Sequence, residues 1–153
     1  MAATDTTTAI ERELEIAARP ETVWAFLLDP ERAVRWMGIT AAFDARPGGA
    51  YRIEVVPGEF ASGEWVELDP PRRLVMTWGW EPSGMSAVAP GSTTVEWNLE
   101  PRGEGTVLRF RHSGLRGADA VTTHGHGWDH YLPRLRTVAA GGDAGPDPWL
   151  TRA

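Results

Sequence analysis

Between Ile39 and His112 the sequence falls into six short alternating segments separated by turn signals. A chain built this way must make an antiparallel sheet with one covered face. The segments are ITAAFDA, AYRIEVV, FASGEWVEL, RLVMTWGW, TTVEWNLE and TVLRFRH, and the breaks include RPGG, PGE, DPPR and PRGEG. Period two is explicit in the later ones. Leu74, Met76, Trp78 and Trp80 share a face against Val75 and Thr77. Val95, Trp97 and Leu99 oppose Glu96, Asn98 and Glu100, and Leu108, Phe110 and His112 oppose Val107, Arg109 and Arg111. The longest break, EPSGMSAVAPGS, is a Gly/Pro-rich loop carrying the lone Met85. A further strand, IERELEI, precedes them all, with Ile10, Arg12, Leu14 and Ile16 on one side and Glu11, Glu13 and Glu15 on the other. A curved antiparallel sheet of six or seven strands is expected.

Helices flank this meander. In RPETVWAFLLDPERAVRWM, Pro20 suits a first helical turn and Glu21 its positive end. Asp29-Pro30-Glu31 is a second start signal, so two short helices ending near Trp36 follow the first strand. The last element is a helix from about Asp119 to Ala140. At roughly 100° per residue, Val121, Gly125, Leu132, Leu135 and Ala139 all fall within about 60° of Trp128. A helix with one apolar stripe must lie on something, and the covered sheet face is the only candidate large enough. The fold class is therefore α+β, a curved sheet gripping a long C-terminal helix. Residues 9–141 form the domain, 1–8 a loose Ala/Thr-rich terminus and 142–153 a tail. Trp149 in that tail either wraps back and docks or makes a homodimer contact.

Composition narrows the function. At 153 residues the chain buries one proper core. A net charge of -6 with no basic run excludes a nucleic-acid partner. No apolar run approaches the roughly 20 residues that span a bilayer, and MAATDTTTAIERE does not read as a secretory signal. The absence of cysteine rules out disulfides and thiolate zinc sites and fits a reducing cytoplasm. Eight tryptophans are more than so small a core ordinarily needs, and some are expected to line a ligand cavity. Trp24 and Trp97 sit in regular apolar patterns and are assigned to the core.

Three of the four histidines lie in HGHGWDHYLPRL. On the helical wheel His126 and His130 fall opposite Trp128, on the solvent face, and Gly127 stands where an H-E-x-x-H zinc motif needs glutamate. No metal site is expected. His124 borders the apolar stripe and either looks into a pocket or satisfies a carbonyl. Gly125 and Gly127 suit a helix that closely approaches a sheet or loop. No G-x-S-x-G elbow or phosphate loop is present, GGAY lacks the spacing of one, and Ser62, Ser83, Ser86, Ser92 and Ser113 stand in no triad-like setting. No cofactor is implied. The inward-facing polar candidates are His112, His124, Asn98 and Glu67, the last with ambiguous strand parity. A histidine with a carboxylate suits general acid/base chemistry; the bland alternative is that these groups orient an apolar ligand.

Taken in order, RELEIAARPETVWAFLLDPERAVRWM, RPGGAYRI, GEWVELDPPRRLVMTW, TVLRFRHSGL and HGWDHYLPRLRTVAAGGDAGPDPW resemble a known family over roughly residues 10 to 149. It is the bacterial branch related to the C-terminal domain of the activator of the heat-shock chaperone ATPase, within the START-like or SRPBCC superfamily. The resemblance implies a helix-grip (Bet v-like) fold with a cavity between helix and sheet, where relatives hold lipids, hormones or polyketides. Carried over, it implies Trp36 and Met37 at the cavity mouth, Met76 and Trp78 on its wall, Phe110 and His112 inside, and Trp128 on the lid; Trp80, on the same strand face as Trp78, is counted with the ligand-binding residues. The separate N-terminal domain through which the eukaryotic activator contacts the chaperone has no counterpart in this sequence. The function expected is binding of a small apolar or amphipathic molecule. The alternatives are a polyketide cyclase/dehydratase-like enzyme using His112 or His124, and a co-chaperone.

Overall fold

A computed structural model describes residues 9–82 and 88–150. Met85, Ser83 and Ser86 lie outside the described residues, as does the N-terminal segment 1–8. The element order is β1 (Ile10–Ile16), α1 (Pro20–Leu28), α2 (Pro30–Ala33), β2 (Thr40–Phe43), β3 (Ala50–Val56), β4 (Glu59–Asp69), β5 (Arg73–Trp78), β6 (Thr93–Arg102), β7 (Gly105–Ser113) and α3 (Ala118–Ala139), with a 3-10 turn at Pro148–Leu150.

All seven strands join one antiparallel sheet in the order β1-β7-β6-β5-β4-β3-β2. The N-terminal strand therefore closes the sheet beside the last one, with Ile10 opposite His112 and Ile16 opposite Thr106. The α+β class and the curved sheet with its long C-terminal helix are as the sequence predicts. The paired helices come from proline chemistry. Pro20 and Pro30 each open a helix, where their missing N–H costs nothing, and Asp29 Oδ1 accepts the Glu31 N–H at 3.0 Å as an N-cap.

Helix α3 buries His124, Trp128, Tyr131, Leu132, Leu135, Val138 and Ala139, with Trp128 seated on the sheet and Tyr131 against the tail. Gly125 lies over β1, where a Cβ would meet Arg12 Nη2 at 3.4 Å and Ile10 Cδ1 at 3.9 Å, an ordinary van der Waals contact. The same contact is clamped by a two-pronged pair, Arg12 Nε to Asp129 Oδ1 at 2.7 Å and Nη2 to Oδ2 at 3.1 Å. Asp129 holds the Arg12 guanidinium above its ordinary pKa through that hydrogen bond. No described helix is long and apolar enough to cross a membrane.

The outer face of the sheet carries charges sorted by strand. Glu11, Glu13 and Glu15 on β1 face Arg109 and Arg111 on β7, or Arg102 at the end of β6. Arg111 and Arg109 turn their other side to Glu96 and Glu100 of β6, and Glu96 also pairs with Arg73 of β5. Arg73 then reaches Glu67 of β4 at 3.2 Å and Asn98 Oδ1 at 3.0 Å. This corrects the reading of Glu67 and Asn98 as inward-facing. A bulge between Trp65 and Glu67 resets the strand parity, so Trp65 is buried while both Val66 and Glu67 are exposed. Apart from the part-buried contacts of Arg73 with Glu96 and Asn98, these pairs are solvent-exposed and individually weak. A double-mutant cycle on Glu11 and Arg111, whose side chains are 72% and 47% exposed, should give a coupling of about 0.2–1 kcal/mol that shrinks in high salt.

Candidate functional site

The covered face of the sheet is packed around one indole. Trp128, projecting from α3, meets Phe110 at 4.6 Å between ring centroids, Trp78 at 5.1 Å, Trp97 at 5.9 Å and His112 at 6.0 Å. Trp36 closes the cluster edge-on to Trp97, with its Nε1–H donated to the Phe26 carbonyl at 3.0 Å. Beneath the helix this leaves a void of only about 20 Å³, among Trp36, Met76, Trp97, Trp128 and their neighbours. That volume suits at most a water molecule.

His112 sits in this packing with no solvent exposure and both ring nitrogens engaged. An indole N–H can only donate, so the 3.0 Å contact from Trp128 Nε1 makes His112 Nδ1 the acceptor. The proton is then on Nε2, which donates to Thr93 Oγ1 at 2.8 Å, and Thr93 passes its own hydrogen to the Trp78 carbonyl at 2.7 Å. His124, one helical turn before Trp128, repeats the arrangement in the other tautomer. Its Nε2 accepts from Trp80 Nε1 at 3.0 Å, and its Nδ1–H donates to the Ala120 carbonyl at 2.9 Å. The two imidazoles stand edge-to-face at 5.3 Å. Burial, reinforced by His124, pushes His112 down to about 3, and burial also lowers His124. Both rings are therefore neutral and fully used within the protein.

The open space lies beside the helix rather than beneath it. A cavity of about 350 Å³ runs along one flank of α3. Its wall on the helix is Thr123, Gly127 and Tyr131, successive at four-residue spacing, and its floor includes Trp78, Trp80, Trp128 and Met37. Val55 and Val56 of β3 face it from across, and among the described residues no Asp, Glu, Lys or Arg lines it. Of the residues the sequence suggested, Met37, Trp78, Trp80, Trp128 and His124 border this space. Trp36, Met76, Phe110 and His112 do not; they pack behind it in the core. His112 is thus not a pocket group, because the Trp128 indole stands over it.

The tail supplies the remaining wall. Trp149 stacks on His130 at 3.7 Å and 10°, near His126 at 5.3 Å, and lines the cavity. Asp147 Oδ1 accepts from His130 Nε2 at 2.8 Å and from the Trp149 backbone N–H at 2.9 Å. Arg134 fastens the strap, donating to the Ala144 and Gly145 carbonyls and to that of Trp36. His130 is accordingly covered rather than solvent-facing as the helical wheel had it, and of the two readings of Trp149 the structure shows docking onto its own chain. The sequence signal for this was GPDPW, two prolines and an aspartate that fix a bend ahead of an aromatic. With Val55, Val56, Thr123 and Gly127, Tyr131 is one of the wall residues missing from the sequence reading. Burial raises its hydroxyl well above the usual phenol value, with the Asp147 charge adding to it. Among the described residues Tyr131 Oη and Trp78 Nε1 are buried without a hydrogen-bond partner, and no group of three or more His, Asp or Glu is placed to hold a metal ion.

With this geometry in view, comparison with known proteins is decisive for the family. The model for "Activator of Hsp90 ATPase homolog 1-like protein" matches residues 17–140. The chain belongs to this family. An AHSA1-like protein from Rhizobium etli is 44% identical, over 95% of this chain and 89% of that one, with a TM-score of 0.74. CalU16 from Micromonospora echinospora is 30% identical over 92% of this chain and 69% of its own, with a TM-score of 0.72. The Aha1 dimer from Colwellia psychrerythraea, 19% identical over 88% and 97%, shares the fold with a TM-score of 0.75. No curated protein matches the sequence. Within this AHSA1-like domain the deep histidine sets a pH response. A neutral folded-state His112 at about 3 binds fewer protons than the unfolded chain below pH 6.5, so stability is full above that value and falls as the pH drops. Between pH 6.5 and 4.5, urea unfolding should show a loss of up to about 1.4 kcal/mol per pH unit from His112, and His112→Gln should flatten the slope. Trp128→Phe, which leaves Nδ1 without its donor, should cost about 1–3 kcal/mol at pH 7.

Proposed function

We propose that this AHSA1-like protein binds a small apolar or amphipathic molecule in the cavity along the flank of α3. The carrying observation is the cavity itself: about 350 Å³, walled by aromatic rings and aliphatic side chains, beside a core that is otherwise closed. That volume falls within the roughly 300–1,000 Å³ of small-molecule sites. The rim is polar where Thr123 and His126 are exposed, and the depth is apolar around Trp78, Trp80 and Trp128, an arrangement suited to a ligand with one wet end. Met37, Trp78, Trp80 and Trp128 touch the ligand in this reading, and Trp36, Met76, Phe110 and His112 hold those residues from behind.

Binding is favoured over acid/base catalysis by the hydrogen-bond accounting. A general base must have a nitrogen free to reach the substrate proton. In His112 and His124 both nitrogens of each ring are already committed. The histidines orient tryptophans, and the tryptophans form the surface.

Organic extraction of the purified protein followed by mass spectrometry should recover a co-purified apolar compound, and titration with apolar compounds should quench tryptophan fluorescence saturably. Trp80→Ala, at a partly exposed wall position, should weaken binding at least tenfold, about 1.4 kcal/mol, while leaving the fold intact by circular dichroism. An empty extract together with a flat titration across the panel would sink the proposal.

A further inference from the structure

Gly127 has no structural reason to be glycine. A helical glycine is normally explained by a left-handed backbone or by a close neighbour. Gly127 has neither: it lies inside α3, is not among the positive-φ residues, and among the described residues a Cβ built on it meets nothing within 4 Å. Gly125, two residues away, differs in that a Cβ there would rest in ordinary contact with Arg12 and Ile10. Gly is also among the poorest helix formers. What Gly127 does border is the cavity, midway between Thr123 one turn earlier and Tyr131 one turn later. The missing side chain is a notch in the helix wall, with a hydroxyl residue at either end.

From this we infer that Gly127 is the specificity-determining position of the site, and that the ligand is a flat, uncharged ring system whose edge enters the notch against bare helix backbone. The inference rests on the binding function proposed above and adds the ligand's shape and charge. The flat shape follows from a gap one side chain deep beside walls of indole. Neutrality follows from a lining without carboxylate, Lys or Arg among the described residues, since an ion buried there would lack a fixed countercharge. The notch costs helix stability, so filling it has opposite consequences for fold and for binding.

The experiment uses N-phenyl-1-naphthylamine, an uncharged fluorescent ring compound, at pH 8 with the full chain. Wild type should bind it saturably, and more tightly than the sulfonated analogue 1-anilinonaphthalene-8-sulfonate. Gly127→Ala should raise Tm by about 2–4 °C, as expected when a chain of this size gains the helix propensity of alanine in open space. Gly127→Leu should fold and lose at least tenfold in dye affinity. Dye binding by Gly127→Leu equal to wild type would overturn the role of the notch while leaving the binding function standing. A fall in Tm for Gly127→Ala, or failure of Gly127→Leu to fold, would show that the space beside Gly127 is not open and would overturn it equally. Tighter binding of the sulfonate would overturn the neutral-ligand assignment. A wild type that binds neither dye and yields no co-purified compound defeats the binding function itself, and the inference with it.

Discussion

One hydrogen bond, from the Trp128 indole to His112, ties the helix to the sheet, and much of the interior is arranged around it. It is the first link of a relay that continues through Thr93 to the Trp78 carbonyl, so α3, β7, β6 and β5 are joined by three polar contacts in a dry setting. Each group in the relay uses its donor or acceptor once, which is the condition for burying such a chain without penalty. With the indole fixed, Phe110, Trp97 and Trp78 pack around it at centroid distances of 4.6–5.9 Å. The helix cannot roll about its axis without breaking the hydrogen bond and unseating three rings.

That fixed roll angle determines where empty space is left. The stripe through Trp128, Leu132 and Leu135 is consumed by packing. The neighbouring stripe through Thr123, Gly127 and Tyr131 is held just off the sheet, and the cavity is the gap between it and β3. A second indole–imidazole contact, Trp80 to His124, sets the floor at the near end, and the Trp149 strap sets the far side. The open space lies on one flank of α3, because tryptophan fills the centre beneath the helix.

Much of the fold was legible in the sequence. The strict alternation of IERELEI, TTVEWNLE and TVLRFRH fixes which residues face inward, and the wheel centred on Trp128 identifies the buried stripe of α3. The misplacements have physical causes. Glu67 turned outward through a bulge, which is a property of strand pairing and leaves no mark in the alternation of EWVEL itself. His112 was placed on the correct face, but a face does not tell which neighbour covers it, and here the Trp128 ring does. The covering of His130 depends on the tail bending back, an event set by Arg134 and Asp147 contacts made across the loop rather than along the helix. Period reveals sides of an element; it does not reveal which side a later segment will occupy.

The sorted charges on the outer face bear on how the sheet finds its pairing. Reading across from β1, the rows are acidic, basic, acidic, basic and acidic through β7, β6, β5 and β4, with Arg102 at the very end of β6 the exception. Within β1 and within β7 all the charges facing outward in these pairs have one sign, so sliding one strand by two residues still brings opposite charges together. Exchanging neighbours does not: β1 against β6, or β7 against β5, places like charges opposite one another, which is destabilising. The pattern therefore tolerates slippage and penalises wrong partners. It encodes strand order, while the indoles on the concave side encode register, and the two faces of one sheet divide the information needed to assemble it.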